Sequence, residues 1–284
     1  MKTAVILQAR LDSSRLPGKT LLPLGSRPVL QWAMDQLRAV SSDFRILACP
    51  RKQAGIDCAL AFAPFAAASG FEVFEGEKED VLSRFCDAVR FFGLDSNGEN
   101  RVIRATGDNP FVFAKAARCI NEEAASLGAD YAAYAGLPYG AGVESVSVRA
   151  LLKAEKEASS PAEREHVCPY FYGHPELFTL HRPLAPRKWR SQNLRVTIDT
   201  RTDYERALLA ARALETAEKG KPRPHPHPSF CAESIILYAQ NCSAESYAAR
   251  VPGSSSFTQD KPAGSAASPQ ASARRSKQDL LLRV

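Results

Sequence analysis

Apolar positions along this chain switch between two periods. Short runs at 3–8, 45–48, 72–74, 101–104 and 194–198 are rich in β-formers and are predicted strands. Between them, apolar residues fall three and four apart at 28–40, 80–92 and 114–127, the spacing of amphipathic helices. Pro28 suits the first turn of its helix, where a missing N–H costs nothing. Strands alternating with helices predict an α/β domain around a mostly parallel sheet with helices on both faces. Ligands of such sheets bind beyond the carboxyl ends of the strands, so the loops there are the place to look for chemistry.

The alternation breaks between residues 137 and 180, where a glycine turn, a strand at 143–148 and a helix at 163–172 read as an insertion covering the sheet's open edge. A Pro- and His-containing stretch at 218–229 reads as a stiff linker. On it, His225 and His227 are incidental rather than metal ligands. A helical extension at 230–250, built on a helix at 231–241, follows, and the Ser-, Ala-, Gly- and Pro-rich remainder, 251–284, reads as disordered.

Composition changes this picture little. Of 284 residues, 45% are hydrophobic and 24% charged, as in ordinary globular proteins. The formal charge of +6 hints at a polyanion, but Lys261, Arg274, Arg275, Lys277 and Arg283 place much of the excess in the tail. No helix-turn-helix, zinc-finger or aromatic RNA-binding pattern is visible, so nucleic acid is not an expected partner. The seven cysteines form no CxxC pair and their number is odd, which argues against a disulfide framework or a zinc site. The longest apolar stretch, 58–71, is interrupted by Pro64 and is too short for a membrane span. A reducing cytoplasm is the expected compartment.

The densest chemistry follows the first strand. Gln8, Ala9, Arg10, Ser13, Ser14, Arg15, Gly18 and Lys19 put two arginines, a lysine, hydroxyls and a glycine into one loop. Backbone N–H groups of such a turn form anion nests, arginine forks onto phosphate oxygens, and lysine adds a point charge. A triphosphate site is expected there. Asp108, after the central strand, lies several residues too early to cap the helix starting near Phe113. Thr200 and Asp203 read as a capping pair for a helix at 203–214.

These residues lie in stretches that resemble one family. QARLDSSRLPGKTLLPLGSRPVL, EDVLSRFCDAV, RATGDNPFV, DYAAY, PYGAGVESVS, EREHVCPYFY and LRVTIDTRTDYE occur in the order found in cytidylyltransferases. The resemblance spans residues 1–217 and is closest to the spore-coat polysaccharide branch. It implies a nucleotidyltransferase (Rossmann-like) fold and transfer of CMP from CTP to an acidic sugar, in a homodimer joined near 163–172. It also implies a Mg²⁺ ion held by Asp108 and Asp199. Arg10, Arg15 and Lys19 would grip the β- and γ-phosphates and act with Asp108 in catalysis, each charged contact being worth on the order of 10²–10³ in rate. Arg104 would face the nucleotide or stand as a strand-end charge. Glu144 would meet the sugar or be a solvated strand residue. His166, at the sugar side, reads either as a base or as a structural residue packed beside Tyr170. Arg187, Lys188 and Arg190 read as a solvated basic loop or as a clamp for the acid sugar's carboxylate. Sugar-1-phosphate nucleotidyltransferases open with a glycine-rich loop that Gln8-Ala9-Arg10 lacks, and glycosyltransferases of related fold carry an Asp-x-Asp motif absent from this chain.

Overall fold

The computed structural model describes residues 1–53, 55–217, 234–236 and 238. Seven strands build the central sheet: β1 (Thr3–Gln8), β2 (Phe44–Pro50), β3 (Glu72–Gly76), β4 (Arg101–Thr106), β5 (Tyr131–Ala132), β6 (Glu144–Ser147) and β7 (Leu180–His181). Their spatial order is β7-β5-β6-β4-β1-β2-β3. β1 to β4 run parallel, β6 is antiparallel to β4 and β5, and β7 is parallel to β5. The helices are α1 (Val29–Leu37), α2 (Cys58–Ser69), α3 (Val81–Phe91), α4 (Ala114–Ser126), α5 (Val148–Glu157), α6 (Pro161–His166), α7 (Pro169–Gly173) and α8 (Arg201–Ala217).

β1 explains why its sequence is almost uninterrupted in apolar residues: both its faces are buried. Val5 and Leu7 pack with α1, α2 and α4, whereas Ala4 and Ile6 pack with α3, α5 and α7. A third cluster joins Trp32, Phe111 and Trp189 to α8 and to Ile235 and Ile236. The chain steps outward from β1 to β2 and β3, then crosses back through α3 to β4 on the far side of β1. The connections at the carboxyl ends of β1 and β4 therefore diverge, leaving the crevice in which α/β folds bind ligands.

Several expectations change. Residues 194–198 form no strand: their hydrogen bonds go from Tyr139 N to Leu194 O (2.8 Å), from Val196 N to Tyr139 O (2.8 Å) and from Ile198 N to Asp108 O (2.9 Å). The segment is extended because loops at the sheet's rim hold it. The insertion does not cover an edge, since its strand β6 lies inside the sheet against β4. The helix expected at 163–172 is two helices, parted at Val167 and restarted by Pro169 at the first turn. Their apolar residues Val167, Cys168, Tyr170 and Phe171 are buried in the chain's own core. The apolar stretch from Cys58 forms α2, with Asp57 capping Leu60 N at 2.9 Å and Gly70 ending it in the left-handed region. The linker at 218–229 and the tail at 251–284 lie outside the described residues. Of the extension, residues 234–236 and 238 are helical, as expected. None of the described helices is long and apolar enough to cross a membrane, and the five cysteines among the described residues are free thiols.

Candidate active site

Two glycines shape the crevice between β1 and β4. Gly107 donates its N–H to Gln8 O at 2.8 Å. A Cβ there would stand 2.9 Å from Leu30 Cδ1 and 3.2 Å from Gln8 O, so the β4 loop lies this close to β1 only because no side chain intervenes. Gly18, at φ 66°, donates to Leu11 O at 3.0 Å and closes the loop that leaves β1. The chain then turns Lys19 inward, where it is only 6% exposed.

Lys19 is the centre of the arrangement. Its Nζ donates to Asp108 Oδ2 at 2.7 Å, to Ile198 O at 2.8 Å and to Asp199 Oδ1 at 2.9 Å. The two aspartates expected to share a metal thus end at the same rim, although 91 residues of sequence part them. Asp199 also meets Arg15 at 3.2 Å and accepts a hydrogen bond from Arg195. Three cations therefore face one carboxylate. Asp108 is not a helix cap: Phe113 precedes α4 and makes no side-chain cap.

Thr200 and Asp203 form the reciprocal cap expected of them. Asp203 Oδ2 accepts from Thr200 Oγ1 at 2.8 Å, Thr200 N at 3.0 Å and Asp199 N at 3.2 Å, while Thr200 Oγ1 accepts from Asp203 N at 3.2 Å. Burial acts to raise the Asp203 pKa. The Thr200 hydrogen bonds, the Asp199 N–H and the Arg195 charge outweigh it and hold this carboxyl below its ordinary value. The cap thereby fixes the backbone that carries Asp199.

The other expected residues sort by position. Arg10 is half-exposed and faces Glu165 of α6 at 3.5 Å. Ser13 and Ser14 line a cavity of about 720 Å³ together with Arg10, Gln53, Ile56 and Lys78. Gln8 buries its Oε1 without a hydrogen-bond partner among the described residues. Arg104 and Glu144, both of open role in the sequence, are cross-strand neighbours on β4 and β6 and form an ion pair with each other. Tyr131 OH also donates to Glu144, at 3.0 Å. His166 is exposed at the end of α6, and the ring beside Tyr170 is that of His174, 4.3 Å away between centroids. Glu165, its neighbour, meets the β1 loop, so α6 ends beside that loop. Arg187, Lys188 and Arg190 are exposed around buried Trp189.

Sequence reasoning missed Arg195, Gln53 and Lys78. Arg195 had a faint signal, being four residues from Asp199 in an extended run. Gln53 and Lys78 act across 41 and 66 residues of chain, on Asp12, and leave no local pattern.

A mostly parallel sheet with a cation-rich loop after β1 and carboxylates gathered at the rim of β4 fits an α/β nucleotidyltransferase. Comparison narrows the class. A family model described as cytidylyltransferase matches residues 4–220, and the chain belongs to that family. It is 33% identical over 206 residues to the spore coat polysaccharide biosynthesis protein SpsF of Bacillus subtilis, covering 70% of this chain and 82% of the relative. A cytidylyltransferase structure from Leptospira borgpetersenii superposes with a TM-score of 0.71 at 23% identity, over 85% of this chain and 94% of the other. A CMP:2-keto-3-deoxy-manno-octonic acid synthetase complexed with CTP superposes with a TM-score of 0.55 at 15% identity, over 77% and 100% of the two chains.

Proposed function

We propose that this cytidylyltransferase transfers CMP from CTP to a hydroxyl of an acidic sugar, releasing pyrophosphate for surface-polysaccharide synthesis. The observation that carries the reading is the meeting of Lys19, Asp108, Asp199 and Arg15 at the β1–β4 crevice, beside the cavity lined by the same loop. In the reaction, the sugar oxygen attacks the α-phosphorus, the bond from that phosphorus to the bridging oxygen of pyrophosphate breaks, and the hydroxyl proton leaves to a base. Little covalent help is needed, so positioning and charge carry the catalysis.

Each residue has a definite task on this reading. Arg10 and Arg15, both exposed, fork onto the β- and γ-phosphates. Lys19 offsets charge developing on the leaving pyrophosphate. Ser13, Ser14 and Gln8 add hydrogen bonds to the nucleotide. Glu144 and His166 lie on the acceptor's side, with Arg104 holding Glu144 in place. The donor set also suits Mg²⁺. Asp108 Oδ2 and Asp199 Oδ1 converge on a single cationic atom, and magnesium sites use one or two carboxylates completed by phosphate and water oxygens. Asp108 and Asp199 would hold the ion, which when bound neutralises charge on the phosphate oxygens.

The test is pyrophosphate release with Mg²⁺, each of the four nucleoside triphosphates and a panel of acidic sugars, run beside Asp108→Ala. Release with CTP and one acidic sugar, lost in the variant, is expected. Release only with a sugar 1-phosphate would transfer the chain to a different substrate class.

A further inference from the structure

The β1 loop is held in shape by a side chain from outside it. Gln53 lies on the two-stranded hairpin formed by Lys52–Gln53 and Ile56–Asp57, and it is 3% exposed. Its Oε1 accepts from Leu11 N at 2.6 Å and from Asp12 N at 3.3 Å. The Cys58 thiol approaches the same oxygen at 3.7 Å. Its Nε2 donates to Asp12 Oδ1 at 2.5 Å. Both ends of one buried amide are thus spent on consecutive residues of the loop that carries Arg10, Ser13, Ser14 and Arg15.

The other oxygen of Asp12 is held from the opposite side. Lys78 Nζ stands 3.0 Å from Asp12 Oδ2 and 3.1 Å from Glu79 Oε1. Lys78 follows β3, and its loop is pinned from below by buried Arg84, which donates to Glu77 O at 2.5 Å. A Cβ on Gly76 would meet Arg84 Cγ at 2.7 Å, so the loop lies directly on that arginine. Asp12 therefore sits between a neutral donor and a cation that come from two different crossovers. All three side chains line the cavity.

We propose that Gln53, with Lys78, is a positioning residue for nucleotide binding: the pair clamps Asp12 and so presents the loop's arginines and N–H groups to the triphosphate. The proposal rests on the reading of this loop as the CTP site. Gln53 need not touch the nucleotide, because its polar atoms are already committed to the loop. Preorganisation of this kind lowers the ordering cost of binding, so its loss falls on affinity rather than on the chemical step.

The chemistry of the clamp supplies a test that mere structural damage does not mimic. Gln53→Glu keeps the acceptor for Leu11 N but turns the donor into a second carboxylate oxygen against Asp12. Two carboxylates that close share a proton, so lowering the pH restores a donor. In Gln53→Glu/Asp12→Asn the donor and acceptor have changed sides and the pair is complementary again. Calorimetric CTP affinity and KM against kcat are measured from pH 6 to pH 8, with thermal melts as a folding control.

Wild type is expected to bind CTP. Gln53→Glu should weaken CTP binding on the order of 100-fold at pH 8, with kcat within about threefold, and recover at least tenfold toward pH 6. The double variant should return to within about fivefold of wild type at pH 8. Lys78→Met, at a half-exposed site where folding is not at stake, should weaken CTP binding roughly five- to tenfold. Wild-type affinity in Gln53→Glu at every pH, or an unrescued double variant that melts normally, overturns the role of Gln53. Unchanged affinity in Lys78→Met overturns the two-sided clamp, and it decides the matter if the Gln53 variants do not fold. Absence of CTP binding by wild type would instead defeat the functional reading beneath it.

Discussion

Replacing Lys19 by methionine tests whether Asp108 and Asp199 share one cation position. The substitution keeps the length and apolar stem of the side chain but removes the ammonium. Both carboxylate oxygens lie within 2.9 Å of that nitrogen, so without it two like charges face each other at close range. At about 4 Å and an effective dielectric of about 20, their repulsion is about 4 kcal/mol. Arg15 and Arg195 stay on Asp199 and offset part of this, which leaves a loss of about 2 kcal/mol. For a domain of this size that lowers Tm by about 4–8 °C. Mg²⁺ should then act unequally on the two proteins. In the variant the ion meets an open pair of carboxylates, and at ten times its Kd it returns about 1.4 kcal/mol, or roughly 3–6 °C. In wild type it must displace an ammonium held by three acceptors, and the shift should be smaller. Differential scanning calorimetry without nucleotide, with and without Mg²⁺, reads both effects. A variant that melts with wild type, or whose Tm is insensitive to Mg²⁺, would refute the shared position.

Gly107→Ala should lose about 1–3 kcal/mol in urea unfolding, because the new methyl meets Gln8 O and Leu30 and must push the β4 loop off β1. CTP-dependent activity should fall with it, since the same shift moves Asp108. Asp203→Asn should change the acid limb of stability. The folded-state pKa of Asp203 lies below its ordinary value of 3.8, so its contribution is present above that pH and is lost as pH falls through the depressed value. The variant should therefore be about 1 kcal/mol less stable at pH 7 and converge with wild type in melts once the pH has fallen below that depressed value. Glu144→Gln should cost about 3–5 kcal/mol by leaving the Arg104 guanidinium buried without its counter-charge. Arg104→Met/Glu144→Leu should recover most of that in the same denaturation assay while leaving the acceptor side impaired.

The sequence was most legible where one physical demand set the pattern. β1 was readable to its ends because burial on both faces forces an apolar run, and α4 because one face meets the sheet. The carboxylate after β4 and its distant partner were legible through motif resemblance. Their meeting at Lys19 was not, because those side-chain contacts span 89 and 180 residues of sequence. The extended segment at 194–198 shows the limit of periodicity. Its alternation is that of a strand, yet its hydrogen bonds are taken by Tyr139 and Asp108 rather than by a neighbouring strand. The break at Val167 had a signal in Pro169, which cannot continue a helix without losing a donor. The φ of 67° at Val167, costly for a β-branched residue, had none. Gln53 was invisible for a related reason: an amide side chain that bonds across the fold looks like any solvated glutamine.

The charges of the site divide by how tightly they are held. Arg10 and Glu165 are about half-exposed at 3.5 Å, and Arg15 reaches Asp199 from a side chain that is 64% exposed. Such pairs contribute little to stability and weaken with salt, so either arginine can be handed to a phosphate at small cost. Lys19 differs. It is buried, it satisfies three acceptors on two segments of chain, and releasing it takes the ammonium partner from Asp108. On the proposed reading, the arginines capture the triphosphate and Lys19 keeps the two aspartates in register until nucleotide arrives. Capture should then fall with ionic strength, because it depends on solvent-exposed charge. The register of Asp108 and Asp199 should not, because it depends on an ammonium shielded from solvent.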